Sequence, residues 1–182
     1  MAEIATRMGP LDGRSLATNA VVIEAARPAS RIALRAPSAS LAALSLALGV
    51  DLPDRPKSAA SRGTRHAFWL GPDEWLIIDE DRTDLNVACR GAEVLHSCVD
   101  VSHRNTAILV SGARVEDVLS AGCPQDLSLE AFPVGACSRT VLGKIEIVLY
   151  RTAEDDFRIE VWRSFSDYAF TLLTEAARDL SS

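Results

Sequence analysis

The chain has 182 residues, 48% of them apolar, with 19 Lys+Arg against 25 Asp+Glu and a formal net charge of −6. That length suffices for one domain with its own core, and the acidic balance argues against a nucleic-acid backbone or an anionic membrane surface as partner. No run of about 18 apolar residues is present to span a bilayer and the N-terminus lacks the charged-then-apolar pattern of a secretory signal, so the expected location is the cytoplasm.

Residues 1–30 hold "MGPLDG" and "ARPAS", with Gly and Pro but little periodicity. They predict an irregular arm around one short strand at Val21–Ile23, and residues 31–182 are expected to form a single α+β domain. "RIALRA" alternates Ile32 and Leu34 against Arg31 and Arg35, which predicts a strand with one core face. Ser38 is placed to cap a helix carrying Leu41, Leu44 and Leu48 and ended by Gly49. The Pro/Ser-rich "DLPDRPKSAASRG", 51–63, predicts a mobile connector.

"HAFWLGPDEWLII" is two β-rich runs around the turn Gly71-Pro72-Asp73. A helix is expected over Asp84 to Leu95, with Leu85, Ala88, Ala92 and Leu95 on one side, then strands at Cys98–Ser102 and Thr106–Val110. "ARVEDVLSAG" predicts a short helix stopped by Gly122 and Pro124. "SRTVLGKIEIVLYR" predicts a long strand whose partner, "FRIEVW", follows the acidic turn "TAEDD". The last helix has a capping-box pattern in Ser164 and Asp167. Its expected apolar stripe is Phe165, Tyr168, Ala169, Leu172, Leu173, Ala176 and Leu180, with Phe165, Leu172 and Leu173 buried. Consecutive strands with interspersed helices make the class α+β, a mixed, mostly antiparallel sheet with helices packed on one side.

The chemistry-bearing patterns are sparse. "DVSHR", 100–104, brings an aspartate, a serine and a histidine together. On a strand, however, Asp100 and Ser102 face one way and His103 the other, so they do not make a nucleophile–base–acid relay. There is no G-x-S-x-G elbow and no phosphate-cradling glycine pattern. Asp73 and Glu74 between two indoles, and the isolated His66 and His96, are expected to be structural. Cys89, Cys98, Cys123 and Cys137 are dispersed, without the paired spacing zinc needs, and are expected as free thiols. No catalytic, cofactor-binding or metal residue is therefore expected on this chain.

Several stretches taken together carry a resemblance. They are "WLGPDEWLI", "DVSHRNTAILVSG" followed by "VLSAGCPQDLSLEAFPVGACSRT", and "FRIEVWRSFSDYAFTLLTEAA". Over roughly residues 20–180 the chain resembles the gamma subunit of heterotetrameric sarcosine oxidase, most specifically in the combination G-C-P-x-D-L, F-P-x-G, R-T and R-S-F-x-x-Y. More distantly it is similar to the folate-binding domain of the aminomethyltransferase (T-protein) of the glycine cleavage system, which carries a D-V-S-H strand too. Those relatives have G-G-x-x-D-D in a hairpin strand and an asparagine after the next strand. This chain has Gly143-Lys144-Ile145-Glu146 and Trp162-Arg163-Ser164 there.

The resemblance implies a non-catalytic accessory subunit of a complex that oxidises sarcosine to glycine. The methyl carbon leaves as formaldehyde or methylene-tetrahydrofolate, and oxygen becomes hydrogen peroxide. FAD, FMN, NAD and tetrahydrofolate are then expected on the other subunits, with direct contact to alpha and with beta and delta in the same complex. The alternative is a free-standing folate-binding protein of the aminomethyltransferase superfamily.

Overall fold

The long central strands are apolar on both faces, and the layering follows from that. In β10 (Ile145–Ala153), Ile145, Ile147 and Leu149 enter one core while Val148 and Tyr150 enter another. In β6 (Glu74–Asp79), Trp75 and Ile77 alternate with Leu76 and Ile78 in the same manner. The computed structural model describes residues 9–180.

Two antiparallel sheets result. The six-stranded sheet runs β1 (Ser15–Ala17), β2 (Val22–Ala25), β8 (Asn105–Ser111), β11 (Asp156–Trp162), β10, β9 (Cys137–Leu142). The five-stranded sheet runs β4 (Ala59–Arg62), β5 (Arg65–Gly71), β6, β3 (Ser30–Arg35), β7 (Ser97–Asp100). Helices α1 (Leu41–Leu48) and α2 (Leu85–Arg90) cover the outer face of the five-stranded sheet. Helices α3 (Val115–Ser120) and α4 (Ser166–Asp179) cover the outer face of the other. The middle layer lies between the sheets and holds Phe68, Leu76, Ile78, Cys137, Val148 and Tyr150. The α+β class with antiparallel pairing thus stands, with two sheets in place of one and helices on both outer faces.

Charge is buried in that middle layer as well. Arg31 of β3 donates from Nε to Glu160 Oε2 of β11 at 2.6 Å, and Arg158 donates from Nε to the other oxygen at 2.8 Å. The side chains of Arg31, Arg158 and Glu160 are 3%, 5% and 0% exposed, so this cluster ties one sheet to the other out of water. Arg151 is the third buried arginine. It donates to the carbonyls of Leu127 and Phe132 at 2.7 and 2.8 Å, fixing the loop that carries the D-L and F-P motifs.

Several elements differ from the sequence expectation. In residues 9–30 the short strand expected at Val21–Ile23 is β2, and with the unexpected β1 it forms a hairpin that extends the six-stranded sheet, its turn held by Thr18 Oγ1 accepting from the amides of Ala20 and Val21. Residues 1–8 of the expected arm lie outside the described residues. The connector over 51–63 ends in β4, an edge strand paired with β5. Ser58 bridges to Ala136, and the Cys137 amide donates to the Lys57 carbonyl at 3.2 Å. An edge strand needs only one ladder, so a composition poor in β-branched residues can supply it.

Ser38 opens a 3-10 turn, Ser38–Ser40, and makes no cap bond, whereas Gly49 ends α1 in the left-handed region at φ 67°. Helix α2 has its cap in Asp84, which accepts from the amides of Asn86 and Val87, but it stops at Arg90. Glu93 turns left-handed at φ 47°, and Leu95 is left 78% exposed. The run 138–151 is a hairpin of β9 and β10, turned at Gly143 with φ 61°.

The start of α4 departs furthest. A 3-10 turn, Arg163–Phe165, precedes it and no side chain caps it; the Ser166 hydroxyl donates to the Arg163 carbonyl at 2.8 Å, and Asp167 pairs with Arg14. The helix is thereby rotated so that Ala169, Phe170, Leu173 and Ala177 are buried. Leu173 is buried as expected, Leu172 is only half-buried, and Phe165 is exposed.

Candidate functional site

The "DVSHR" stretch ends β7 and turns toward β8, where its polar groups do not converge. The Asp100 carboxylate accepts the Ser102 amide at 2.8 Å, and hydrogen bonding from Ser102 holds that carboxyl below the ordinary carboxylate range. Ser102 Oγ accepts the Arg31 amide at 2.8 Å and so continues the pairing of β3 past the end of β7. The His103 side chain is exposed and makes no hydrogen bond among the described residues, though its charge also favours the Asp100 carboxylate. No relay links the three.

A different serine and histidine do meet. Ser61 and His66 are register partners on β4 and β5, with Ser61 Oγ 2.8 Å from His66 Nδ1 and 3.3 Å from the Tyr150 hydroxyl. Burial, with Arg158 nearby, pushes the imidazole below its ordinary pKa. The ring packs against both Phe68 and Tyr150, and among the described residues no carboxylate bonds its other nitrogen. That arrangement stitches an edge hairpin to β10 and lacks the orienting acid of a hydrolytic relay. Sequence reading missed it because 51–63 was expected to be loose; the signal was the short "SRGTRH" turn between two partner runs.

Two positions at which the chain departs from the aminomethyltransferase pattern come together. Glu146 of β10 and Trp162 at the end of β11 line one cleft between the two sheets, with Glu74, Arg104 and Arg139 around it. The cleft holds about 170 Å³. Small-molecule sites start at roughly 300 Å³, so this cleft is smaller than such sites. Its wall is also occupied by ion pairs, since Glu74 takes both Arg35 and Arg139.

Beside this cleft the surface is aromatic. Trp162 and Phe165 are each 41% exposed and Tyr168 is 39% exposed. The Trp162 and Phe165 rings stack at 6.0 Å between centroids, and the Arg104 guanidinium lies 5.1 Å over the indole. Tyr168 is held from below: its hydroxyl lies over Gly143, 2.4 Å from where a Cβ would stand. Phe165 and Tyr168 belong to the R-S-F-x-x-Y motif expected to be core, and they face outward because the 3-10 turn rotates α4. A hollow of about 640 Å³ is an open groove between α1 and β4 with Asp51 and Arg62 as its charged groups. Among the described residues no cluster of three or more His, Cys, Asp or Glu could hold a metal, and no helix is long and apolar enough to cross a membrane.

Comparison with known proteins gives this surface its context. The family described as "Sarcosine oxidase, gamma subunit family" matches residues 33–179. The chain belongs to that family. It is 33% identical over 170 residues to the sarcosine oxidase subunit gamma of Arthrobacter sp, covering 90% of this chain and 83% of that one. It is 33% identical over 150 residues to the corresponding subunit of Corynebacterium sp. strain P-1, covering 80% and 73%. A chain of the heterotetrameric sarcosine oxidase from Corynebacterium sp. U-96, solved with pyrrole 2-carboxylate, superposes with a TM-score of 0.89 at 28% identity over 97% of both chains. The aminomethyltransferase T of Bartonella henselae shares the fold, with a TM-score of 0.62 at 16% identity, over 83% of this chain and 44% of that one.

Proposed function

We propose that the chain is the gamma subunit of a heterotetrameric sarcosine oxidase and acts there as an accessory, assembly-type subunit with no catalytic side chain of its own. The observation that carries this reading is the superposition on a chain of such an oxidase over 97% of both chains. The complex as a whole converts sarcosine, oxygen and water to glycine, formaldehyde and hydrogen peroxide, or passes the methyl carbon to tetrahydrofolate. FAD, FMN, NAD and the folate site reside on the other subunits.

The direct partner is alpha, and the gamma face that meets it is the Trp162–Phe165–Tyr168 surface. Aromatic side chains and arginine dominate the energetically important centres of protein interfaces. Here three aromatics and Arg104 are already fixed by stacking and by packing over Gly143.

The test is co-purification of the untagged chain with tagged alpha, with peroxide release from sarcosine measured with and without the chain. Association, with no turnover by the isolated chain, is expected, and a Trp162→Ala/Phe165→Ala variant should lose most of the association while keeping its circular dichroism. Turnover by the isolated chain overturns the accessory role, and failure to bind a folded alpha overturns the subunit reading. The free-standing folate-binding alternative is disfavoured by the size of the Glu146–Trp162 cleft; micromolar tetrahydrofolate binding by the isolated chain in calorimetry would restore it.

A further inference from the structure

The chain passes between its two sheets at 26–29, linking β2 to β3, and again at 101–104, linking β7 to β8. Both crossovers border a cleft of about 330 Å³, within the size range of small-molecule sites. The charge lining it is one-sided. Arg27, Arg31, Arg82 and Arg163 contribute guanidinium groups and His103 an imidazole, while Asp12 is the one carboxylate among the lining residues.

Arg27 and Arg82 are the two of these arginines that set the cleft apart. In a chain of net charge −6, Arg31, Arg65, Arg139, Arg151 and Arg158 each meet a carboxylate. Arg27 and Arg82 are exposed, and their side chains engage no carboxylate or carbonyl among the described residues. The Arg82 backbone is left-handed, φ 60°, a conformation uncommon for a non-glycine residue, and its amide bonds to the Asp79 carbonyl, which fixes where the side chain departs. The Asp12 carboxylate accepts the Gly9 amide. Asn105 accepts from Arg104 through Oδ1, which leaves its NH2 group to donate into the cleft.

We infer that this cleft binds the oxyanion group, carboxylate or phosphate, of a small molecule, with Arg27 and Arg82 as its principal contacts and Asn105 and His103 as further donors. Guanidinium groups present paired N–H donors in the fork geometry that both oxyanions match. The site adjoins the Trp162–Phe165–Tyr168 surface through Asn105, the register partner of Trp162, and does not depend on the chain's place in the oxidase.

The test is isothermal titration of the full chain with inorganic phosphate and with citrate at constant ionic strength, with chloride as the control. Saturable one-to-one binding of at least one of the two is expected, weakened tenfold or more in Arg27→Gln/Arg82→Gln. Arg62→Gln should leave it unchanged; Arg62 is likewise unpaired but lines the groove between α1 and β4. Neither substituted arginine of the double variant supports the fold, and an unchanged thermal transition verifies that. Absence of saturable binding beyond the chloride control, or equal weakening by Arg62→Gln, overturns the inference.

Discussion

Glu160 is buried between the sheets with Arg31 on both of its oxygens and Arg158 on one. Burial opposes its ionisation, yet the two guanidinium groups outweigh that and hold its carboxyl below the ordinary glutamate range. Two cations on one anion leave an excess positive charge, which Glu80 meets through Arg158. Removing the central carboxylate strands both arginines, and breaking a buried pair in this manner costs about 3–5 kcal/mol. Glu160→Gln should therefore lower the urea midpoint strongly at pH 7. The sign with pH follows from the depressed pKa. The carboxylate's contribution is fully present above its unfolded value of about 4.3 and is lost as pH falls through the folded value. The gap between the native chain and Glu160→Gln should thus narrow below about pH 4; a constant gap down to pH 2 would show that the charge is not the source of the effect.

At the scale of elements, α4 separates what packing needs from what a stripe of apolar letters suggests. Leu173 is 0% exposed against the six-stranded sheet, whereas Phe165 is 41% exposed. Leu173→Ala should cost about 2–5 kcal/mol, and Phe165→Ala well under half of that, read as shifts in the urea midpoint. Equal costs would mean that the rotation of the helix is wrong. The sequence displayed the helix, its length and Leu173, but not the 3-10 turn at Arg163–Phe165, because a local turn type leaves no trace in the 3.6-residue period. Edge elements were hidden for a related reason. Strands β1 and β4 are short and half-exposed, and what fixes them is pairing with β2 and β5, which no window of local sequence contains. The inner strands were legible because burial on both faces writes continuous apolar runs such as "IEIVLY" and "EWLII". The Glu146–Trp162 cleft was legible only through family resemblance, and the basic cleft was not legible at all, since Arg27, Arg82 and His103 are far apart in the chain and meet only where the sheets are joined.

At the scale of the whole molecule, a face that a partner covers must be distinguished from one that water covers, and the three tryptophans provide a probe. Trp75 is 1% exposed and donates from Nε1 to the Pro53 carbonyl at 2.7 Å, and Trp69 is half-buried within β5. Trp162 is the most exposed of the three at 41%. Iodide is an anionic quencher that reaches exposed indoles, and Arg104 over the ring draws it toward Trp162 in particular. The free chain should show a readily quenched component of tryptophan emission that Trp162→Phe removes. On addition of the alpha subunit, prepared with its own tryptophans replaced so that only gamma emits, that component should become protected in step with complex formation. If the complex forms while the component stays as quenchable as before, the alpha-facing surface lies elsewhere on the fold. The groove between α1 and β4, where Leu46 stands 85% exposed, is then the face to substitute next.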